Sequence, residues 1–433
     1  MLNRKKISAA VLAALMCMSG VACNGGNEDA AGNVTESAAE AAETTAPADE
    51  TKVSITTQAV PTEPVDLEAG VTNVMYERAL LNEGNKARLA SVMKRAENGE
   101  DITVGVIGGS ITQGSLASSH ANCYAERFFS YWQEKFPETQ ITGVNAGIGG
   151  TNSYLGVHRV DEQLLNAEPD VVIVEFSVND TDKVMNKYSY DSLVRKILNS
   201  SSQPAVILLF TTQDNGTSLQ EVHKEIGTAY DLPMLSYREI VYPEVAAGTL
   251  DWKMISPDNI HPNDAGHGLI GQLLARYLDS VYDERDSIDT SDLSFNTEAY
   301  TADYYANAKM LGASEITPDE ISGFEQGTSK VYADLFPDNF ITEGEGYLKF
   351  ETECQCLGFF YLKQVDGNGG KYDVFVDGQR KGSLDADFAG GWGNYGETQQ
   401  IIVGKETEKH TVEIKLAEGS DETALTIFGI MQS

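Results

Sequence analysis

The fold is decided by the stretch ITVGVIGGSITQG, residues 102–114. Its first six residues, Ile102–Ile107, are a short apolar run followed by two glycines, which predicts a buried strand. Ser110 follows at the carboxyl end of that strand, where open α/β sheets place their chemistry. Glycine and serine after a strand are also typical of an ordinary tight turn, so this stretch alone indicates a turn before it indicates catalysis.

Four more apolar runs continue the pattern along the chain. They are Ile141–Asn145, Val171–Phe176, Ala205–Thr211 and Pro233–Ser236. Helical patterns alternate with these strands, at Tyr124–Lys135, Tyr154–Asn166, Ser192–Asn199 and Ser218–Tyr230. A lead-in helix is predicted over Val71–Glu97. Strands that alternate with helices predict an α/β fold, with a parallel sheet covered by helices on both faces.

Three polar segments lie at the ends of other predicted elements. Residues 145–150, NAGIGG, follow the second strand as a glycine-rich turn able to direct backbone N–H groups at an anion. Residues 177–180, SVND, follow the third strand, and residues 258–262, DNIHP, precede a long amphipathic helical pattern. Because open sheets collect their chemistry at the carboxyl ends of the strands, these segments are expected to converge on Ser110.

These residue types belong together chemically. A serine hydroxyl is a weak nucleophile until a base takes its proton, and an imidazole with a pKa of about 6.5 suits that task at neutral pH. His261 is the natural base for Ser110, and Asp258 is expected to hold its other ring nitrogen. The backbone N–H groups of Ser110 and Gly150 and the Asn179 amide are candidate donors to the oxyanion of a tetrahedral intermediate.

The four segments resemble, in order and spacing, the consensus blocks of the SGNH hydrolases, also called the GDSL-like esterase/lipase family. The resemblance covers about half of the chain, residues 70–284. It implies an ester hydrolase with Ser110 as nucleophile and first oxyanion donor, Gly150 and Asn179 as the other donors, and Asp258 and His261 completing the triad. It also implies a flavodoxin-like, three-layer α/β/α fold with the strand order 2-1-3-4-5.

Two positions depart from the family pattern. The serine block reads GGSITQG where the family name implies Gly-Asp-Ser-Leu, and this change removes a carboxylate beside the nucleophile. The third block has Ser177 where glycine is commoner, and a side chain there constrains the turn that presents Asn179. Neither departure removes a reacting group.

The amino terminus has the layout of an export signal. Residues 1–23 carry basic residues, then an apolar run too short for a comfortable transmembrane helix, then small residues before Cys23. This ending resembles a bacterial lipobox, so Cys23 is expected to carry a lipid, with ordinary cleavage and secretion as the alternative. Residues 24–70, rich in Ala, Thr, Glu, Asp and Pro, are predicted to be a disordered tether that holds the protein at the bacterial cell surface.

Acidic residues outnumber basic residues by 65 to 31, which gives a formal net charge of −34. So acidic a chain repels phosphate backbones and anionic lipid headgroups. No nucleic-acid partner is therefore expected, and membrane contact is expected only through the N-terminal lipid. A neutral substrate fits this charge better than an acidic one.

Three cysteines remain downstream of the signal region: Cys123, Cys354 and Cys356. An odd number cannot form a disulfide framework. Cys354 and Cys356 are two residues apart in a predicted strand, so they are expected to share one face as buried thiols and not as a metal pair.

Other titratable residues receive structural interpretations. Glu175, which ends an otherwise apolar strand, is expected to make structural hydrogen bonds. Arg159 is expected to pair with Asp161 or Glu162, and His223 belongs to no recognisable constellation. A metal set is disfavoured because the triad already accounts for both ring nitrogens of the central histidine; its members would be Asp258, His261, Asp264 and His267. Neither a metal nor a cofactor is expected.

From about residue 286 the pattern changes to short strands of alternating polarity. Apolar residues alternate within residues 348–356, 372–376, 412–416 and 425–427, between Asp-Gly and glycine-rich turns. This pattern predicts a C-terminal all-β domain of jelly-roll type at 286–433 and leaves 71–285 as the hydrolase domain. Trp392 and Tyr395, on a glycine-rich loop, are candidates to stack on a sugar ring or, alternatively, to plug the end of the sandwich or pack on the catalytic domain.

The sequence thus predicts a surface-tethered bacterial esterase that removes a small acyl group, most simply acetyl, from carbohydrate. Export, the tether and the aromatic loop favour carbohydrate, and the short polar stretch at residues 115–120 lacks the apolar lid expected of a lipase. Two alternatives stay open: a lysophospholipase or thioesterase on the same scaffold, and a non-catalytic carbohydrate-binding lipoprotein. The intact triad and Asn179 disfavour the second alternative.

Overall fold

The structure, a computed structural model, describes residues 62–433. The predicted signal at residues 1–23, with Cys23, and most of the predicted tether at residues 24–70 lie outside the described residues. The last part of the tether segment is attached to the folded domain, because Val65 N donates to Thr249 O at 2.9 Å. Within the described range, no helix is both long and apolar enough to cross a membrane.

Six strands of the described chain form the first sheet. They are β1 (Leu80–Asn82), β2 (Ile102–Gly108), β3 (Ile141–Gly147), β4 (Val171–Glu175), β5 (Ala205–Phe210) and β6 (Met234–Ser236). Their spatial order is β1-β6-β5-β4-β2-β3, and β2 to β6 are parallel. Counted from β2, these five strands follow the expected order 2-1-3-4-5. Strand β1 adds an antiparallel edge beside β6.

The sheet is buried on both faces, as a three-layer fold requires. Val104 and Val106 of β2 belong to one apolar core and Ile107 to the other, because successive side chains of a strand point to opposite faces. The helices that cover the two faces are α1 (Asn73–Ala79), α2 (Ala87–Glu97), α3 (Ser110–Gln113), α4 (Tyr124–Lys135), α5 (Ser153–Gln163), α6 (Val184–Leu198), α7 (Gln220–Ala229), α8 (Tyr237–Ala247) and α9 (Asp264–Glu284). The α/β/α architecture is confirmed.

Three helices differ from expectation. The single lead-in helix predicted over Val71–Glu97 is wrong: the chain forms α1, then β1, then α2. It breaks because Gly84 has a φ of +61° and lies so close to the backbone at Pro233 that no side chain fits there. Helix α6 begins at Val184 and not at Ser192, and α8, which contains a proline, is not predicted at all.

The C-terminal region is all-β, as predicted. Its strands are β7 (Lys309–Leu311), β8 (Pro318–Ser322), β9 (Glu325–Gly327), β10 (Asn339–Thr342), β11 (Tyr347–Lys363), β12 (Lys371–Val376), β13 (Gln379–Asp385), β14 (Tyr395–Leu416) and β15 (Leu425–Gln432). They pair antiparallel in the order β13-β12-β14-β11-β15-β10-β9, with β7 beside β15 and β8 beside β11. The long strands β11 and β14 join the two halves of this sheet, and most of its buried apolar side chains share one core.

The two cysteines of β11 do not share a face. Cys354 packs in the core of the β domain, whereas Cys356 packs in the cluster that also contains residues of α5 and α6. The register of β11 against β14 shifts between them. An irregularity of this kind removes the strict alternation on which the expectation rested.

The β domain packs on helix α5 of the hydrolase domain. The rings of Tyr154 on α5 and Tyr305 meet edge to face with centroids 5.4 Å apart. Gly358 of β11 lies against the Tyr154 hydroxyl so closely that any side chain at 358 would overlap it. Helix α5 directly follows the glycine turn at residues 145–150, so the β domain adjoins an element of the predicted site.

Candidate active site

Ser110 is the first residue of α3, the short helix that follows β2. Its side chain lies at the carboxyl edge of the parallel sheet, and the residue is only 9% exposed. The Ser110 hydroxyl oxygen is 2.9 Å from His261 Nε2. The structure therefore joins two side chains that are 151 positions apart in the sequence.

The same imidazole is held from its other side by a carboxylate. His261 Nδ1 lies 2.8 Å from Asp258 Oδ2, and Asp258 Oδ1 accepts hydrogen bonds from the backbone N–H groups of Ile260 and His261 at 2.8 and 2.7 Å. Burial raises the pKa of Asp258, but these hydrogen bonds outweigh it and the pKa is lowered. Asp258 is thus an ionised acceptor at neutral pH, which puts the Nδ1 proton toward Asp258 and leaves Nε2 free to accept from Ser110.

The predicted oxyanion donors gather beside the hydroxyl. A Cβ atom built on Gly149 would lie 3.7 Å from Ser110 Cβ, which places the glycine turn next to Ser110. Gly150 follows with a φ of +74°, a conformation that favours glycine. Asn179 packs directly on Gly109, because a Cβ atom there would overlap Asn179 Oδ1.

The three donors are free to receive an anion. In the described part of the chain, neither the Ser110 N–H, the Gly150 N–H nor Asn179 Nδ2 donates a hydrogen bond to another protein group. The buried Asn179 Oδ1 likewise has no partner there. Unpaired donors around a nucleophile can stabilise a developing negative charge.

The serine at position 177 does not distort this arrangement. Its φ is not in the positive region that would call for glycine. Its hydroxyl accepts from Thr211 N at 2.7 Å and lies 3.2 Å from Thr211 O. The side chain therefore anchors the turn that carries Asn179 to the end of β5.

Arg159 does not pair with a neighbouring carboxylate, contrary to expectation. The buried guanidinium donates to Ala146 O at 2.7 Å, to Gly108 O at 3.2 Å and to Gln163 Oε1 at 2.8 Å. The two carbonyls lie at the ends of β3 and β2, and Gly108 O also accepts from Ile148 N at 3.1 Å. Arg159 thus joins the strand ends that precede the serine and glycine turns.

The four residues weighed as a metal set do not form one. Asp264 accepts from Ser118 N at 2.7 Å, and His267 lies 3.2 Å from Ser115 O and 3.3 Å from Tyr124 N. Burial lowers the pKa of His267 to about 4, so its ring is neutral at physiological pH. Both residues hold the loop that follows Ser110 against helix α9.

Glu175 makes the structural hydrogen bonds expected of it. The carboxylate is fully buried and accepts from Thr211 Oγ1 at 2.6 Å and from Thr112 Oγ1 at 3.0 Å. Burial raises the pKa of Glu175 to about 7 despite these hydrogen bonds, and the charge of Asp180 adds to the rise. The carboxylate joins the serine helix to the end of β5.

Glu175 gives a prediction for stability against pH. The carboxyl has an ordinary pKa of 4.5 and a folded pKa of about 7, so folding becomes less favourable as the pH rises between these values. We expect Glu175→Gln to gain on the wild type by about 2–3 kcal/mol in free energy of unfolding between about pH 5 and about pH 8. Urea titrations of both proteins measure this double difference, and a difference independent of pH would contradict it.

The aromatic loop of the β domain reaches this site. A Cβ atom on Gly150 would lie 3.6 Å from a ring carbon of Tyr395 and 3.7 Å from one of Trp392. The two rings stack with centroids 5.0 Å apart, and Trp392 is 72% exposed. A ring that plugged the end of the sandwich would be buried, so the exposed indole disfavours that alternative. The contact of both rings with Gly150 agrees instead with the alternative that they pack on the hydrolase domain.

Comparison with known proteins identifies the family of this chain. Residues 106–269 match the GDSL-like lipase/acylhydrolase family. A two-domain esterase (CEX) active on acetylated mannans, crystallised with mannopentaose, is 34% identical to this chain. Its structure superposes with a TM-score of 0.77, covering 83% of this chain and 97% of that one. The chain belongs to the GDSL-like lipase/acylhydrolase family.

This GDSL-like hydrolase is also similar to a second structure of that esterase and to a protein of Escherichia coli. A second structure of the mannan-active esterase is 33% identical, with a TM-score of 0.76 and coverage of 83% and 98%. Thioesterase 1/protease 1/lysophospholipase L1 of Escherichia coli K12 is 25% identical over 185 residues, 41% of this chain and 83% of the relative. The protein is an ester hydrolase, as the sequence predicts, and the similarity to the esterase extends over both of its domains.

The sequence does not predict one buried histidine–carboxylate pair near this site. His223, which the sequence pattern assigns to no constellation, lies with Nε2 3.0 Å from Asp180 Oδ2, and both side chains are fully buried. The two residues are 43 positions apart on elements that pack only in the tertiary structure. A buried strand end followed by Asn-Asp was the single signal available for Asp180.

Proposed function

We propose that this protein is a serine esterase that removes acetyl groups from a neutral polysaccharide through a covalent acyl-enzyme. The observation that carries the proposal is the continuous hydrogen-bond chain from Ser110 Oγ through the His261 ring to Asp258. At its Ser110 end this hydrogen-bond chain lies beside the N–H groups of Ser110 and Gly150 and the Asn179 amide, donors that have no protein partner among residues 62–433. This combination activates a hydroxyl and stabilises the charge that its attack creates.

The first half-reaction forms the acyl-enzyme. His261 Nε2 takes the hydroxyl proton while Ser110 Oγ bonds to the acetyl carbon, and the carbonyl electron pair moves onto oxygen. The N–H groups of Ser110 and Gly150 and the Asn179 amide bind this oxyanion. When the carbonyl re-forms, the bond to the sugar oxygen breaks, and the imidazolium returns its proton to that oxygen.

The second half-reaction releases acetate. A water molecule gives its proton to His261 Nε2 and attacks the acetyl carbon, which produces a second oxyanion in the same place. Collapse of this intermediate breaks the bond to Ser110 Oγ, and the proton returns from the imidazolium to the serine. Asp258 stays ionised throughout and stabilises the imidazolium in both steps.

Two observations support carbohydrate as the substrate. The similarity to an esterase active on acetylated mannans extends over both domains of this chain. In addition, the exposed Trp392 stacks on Tyr395 beside Gly150, and exposed indole faces suit the apolar faces of sugar rings. We propose that the sugar bearing the acetyl group lies on this aromatic surface while its ester enters the oxyanion site.

The aromatic surface gives a second prediction. We expect Trp392→Ala to lower kcat/KM for acetylated mannan by about tenfold relative to kcat/KM for 4-nitrophenyl acetate, because about 1–1.5 kcal/mol of stacking is lost with the polymer. The ratio of the two specificity constants is the readout. The exposed Val403→Ala, on strand β14 of the same domain, serves as the matched control. An unchanged ratio would remove Trp392 from the substrate site.

The direct test of the proposed function is acetate release. We expect release from acetylated mannan to exceed turnover of long-chain acyl esters by at least about 100-fold in kcat/KM. The relative in Escherichia coli motivates the competing activity, that of a lysophospholipase or thioesterase. Long-chain esters hydrolysed faster than acetyl esters would establish that alternative, and no turnover of either would favour a binding protein.

The location of the enzyme is also a proposal. We propose that Cys23 is lipidated and that the acidic segment after it holds the hydrolase away from the membrane surface. Labelling of growing cells with a fatty acid should add mass to the wild type and not to Cys23→Ala. Equal labelling of both proteins would exclude this anchor.

A further inference from the structure

A buried carboxylate lies directly behind the proposed oxyanion site. Asp180 follows Asn179 in the chain, and the backbone N–H groups of both residues donate to Phe176 O, at 2.9 and 3.0 Å. The Asp180 side chain is fully buried, and the steps proposed above do not use it. A carboxylate in such a place is costly unless every oxygen is hydrogen-bonded.

The hydrogen bonds of this carboxylate connect four elements. Oδ1 accepts from Ser153 N at 2.8 Å and from Asn186 Nδ2 at 3.2 Å. Oδ2 accepts from His223 Nε2 at 3.0 Å. These partners lie on α5, α6 and α7, whereas Asp180 itself ends the turn after β4. The imidazole is in turn fixed by Tyr190, whose ring stacks on it at 3.6 Å with an interplanar angle of 2°.

The hydrogen bond from Ser153 N to Asp180 matters because the oxyanion donor Gly150 lies just before Ser153 in the chain. Ser153 is the first residue of α5, and Gly150 stands three positions before it. Two local hydrogen bonds fold the intervening residues, from Thr151 Oγ1 to Ile148 O at 2.8 Å and from Leu155 N to Asn152 Oδ1 at 3.3 Å. One carboxylate therefore links the loop of Gly150 to the loop of Asn179.

We propose that Asp180, held by His223, is a positioning residue that sets the distance between the Gly150 and Asn179 donors of the oxyanion site. This inference rests on the proposed function, because it assigns a role within that reaction. The donors come from two loops that share no hydrogen bond of their own in the described residues. A shift of about 1 Å in one donor is enough to lower the rate by up to about 100-fold.

Ser153→Pro removes the key hydrogen bond, together with the contacts of the Ser153 hydroxyl with Asn186 O and Ser189 Oγ. Proline lacks the N–H group but is accepted at the first position of a helix, and Asn152 already has the extended backbone (φ −116°, ψ 179°) that precedes proline. The variant removes the link between Asp180 and α5 while Asp180 keeps its partners on α6 and α7. Ser189→Ala is the matched control, since it removes a buried hydroxyl that contacts Ser153 Oγ at 2.9 Å and does not touch Asp180.

The readout is kcat and KM for 4-nitrophenyl acetate, measured on folded protein well below the unfolding transition. We expect Ser153→Pro and Asp180→Ala to lower kcat by about 10- to 100-fold with KM changed less than about threefold, because donor alignment acts in the transition state. Asp180→Asn should recover about tenfold over the alanine variant, because its amide oxygen still accepts from Ser153 N and its amide nitrogen can donate to the other tautomer of His223. Ser189→Ala should lose stability with kcat unchanged.

The outcomes separate this inference from the proposed function. Should Asp180→Ala and Ser153→Pro lose stability while kcat stays at the wild-type value, the positioning role is overturned and the esterase stands. Equal losses of kcat in Ser153→Pro and Ser189→Ala would also overturn it, since they would report general loosening of α5. A wild type that hydrolyses the ester no faster than Ser110→Ala would instead reject the proposed function.

Discussion

Ser110→Ala is expected to lower kcat for acetyl esters by about 10⁴- to 10⁶-fold. Without the hydroxyl, no bond to the acetyl carbon forms, and the imidazole has no nucleophile within its 2.9 Å reach. The fold should be unaffected, because alanine favours α3 and His261 is the one hydrogen-bond partner of the hydroxyl in the described part of the chain. Initial rates with 4-nitrophenyl acetate and with acetylated mannan measure the loss, and urea unfolding checks stability.

Ser118, in the loop that follows helix α3, provides the control for Ser110→Ala. Ser118 donates to Asp264 at 2.5 Å and lies outside the triad, so Ser118→Ala should keep kcat within about threefold of the wild type. A fluorophosphonate probe should label the wild type and Ser118→Ala but not Ser110→Ala. Retention of more than a few per cent of kcat in Ser110→Ala would exclude this serine as the nucleophile.

Gly109→Ala is expected to lower kcat by about 10²- to 10³-fold, the usual effect of losing one oxyanion donor. The backbone at Gly109, with a φ of −92°, does not call for glycine. The added methyl group nevertheless overlaps Asn179 Oδ1 and pushes the amide away from the site. Because the displaced donor acts mainly on the transition state, KM should change little.

A double-mutant cycle tests this cause directly. If the methyl group acts only through Asn179, Gly109→Ala combined with Asn179→Ala should lose no more activity than either single variant. Gly268→Ala is the matched control: it lies on α9 with open space around the new methyl, so it should stabilise the helix by up to about 1 kcal/mol and leave kcat unchanged. Additive losses in the cycle would show that Gly109 acts by another route.

For three glycines near the site, the local sequence pattern does not predict why glycine is required. The sequence predicts that Gly108, Gly109 and Gly147 form turns, yet none of the three has a positive φ. They are glycine because backbone and side chains approach them too closely for a Cβ atom: the Glu175 carbonyl at Gly108, Asn179 at Gly109 and Gln113 at Gly147. Close approach between segments far apart in the chain leaves no signal in a single sequence.

The buried polar groups near the site differ in how far the sequence reveals their role. Glu175 ends an apolar strand and could be recognised as structural from that context alone, which the structure confirms. The pair of Asp180 and His223, and the guanidinium of Arg159 on two strand-end carbonyls, could not be recognised. Their partners belong to other elements, so only packing decides which acceptor each donor meets.

What the sequence by itself determined is a covered parallel sheet with candidate reacting groups at one of its edges, whereas the strand order was implied by the family resemblance. Short apolar runs alternating with helices require a covered parallel sheet, and polar residues after such strands collect at one edge. The tertiary structure alone decided the precision of the site and its neighbours. Trp392 and Tyr395 stand 242 and 245 positions from Gly150, and only the packing of the β domain on α5 brings them beside it. Such contacts depend on the summed surface of two domains, which no local pattern of residues encodes.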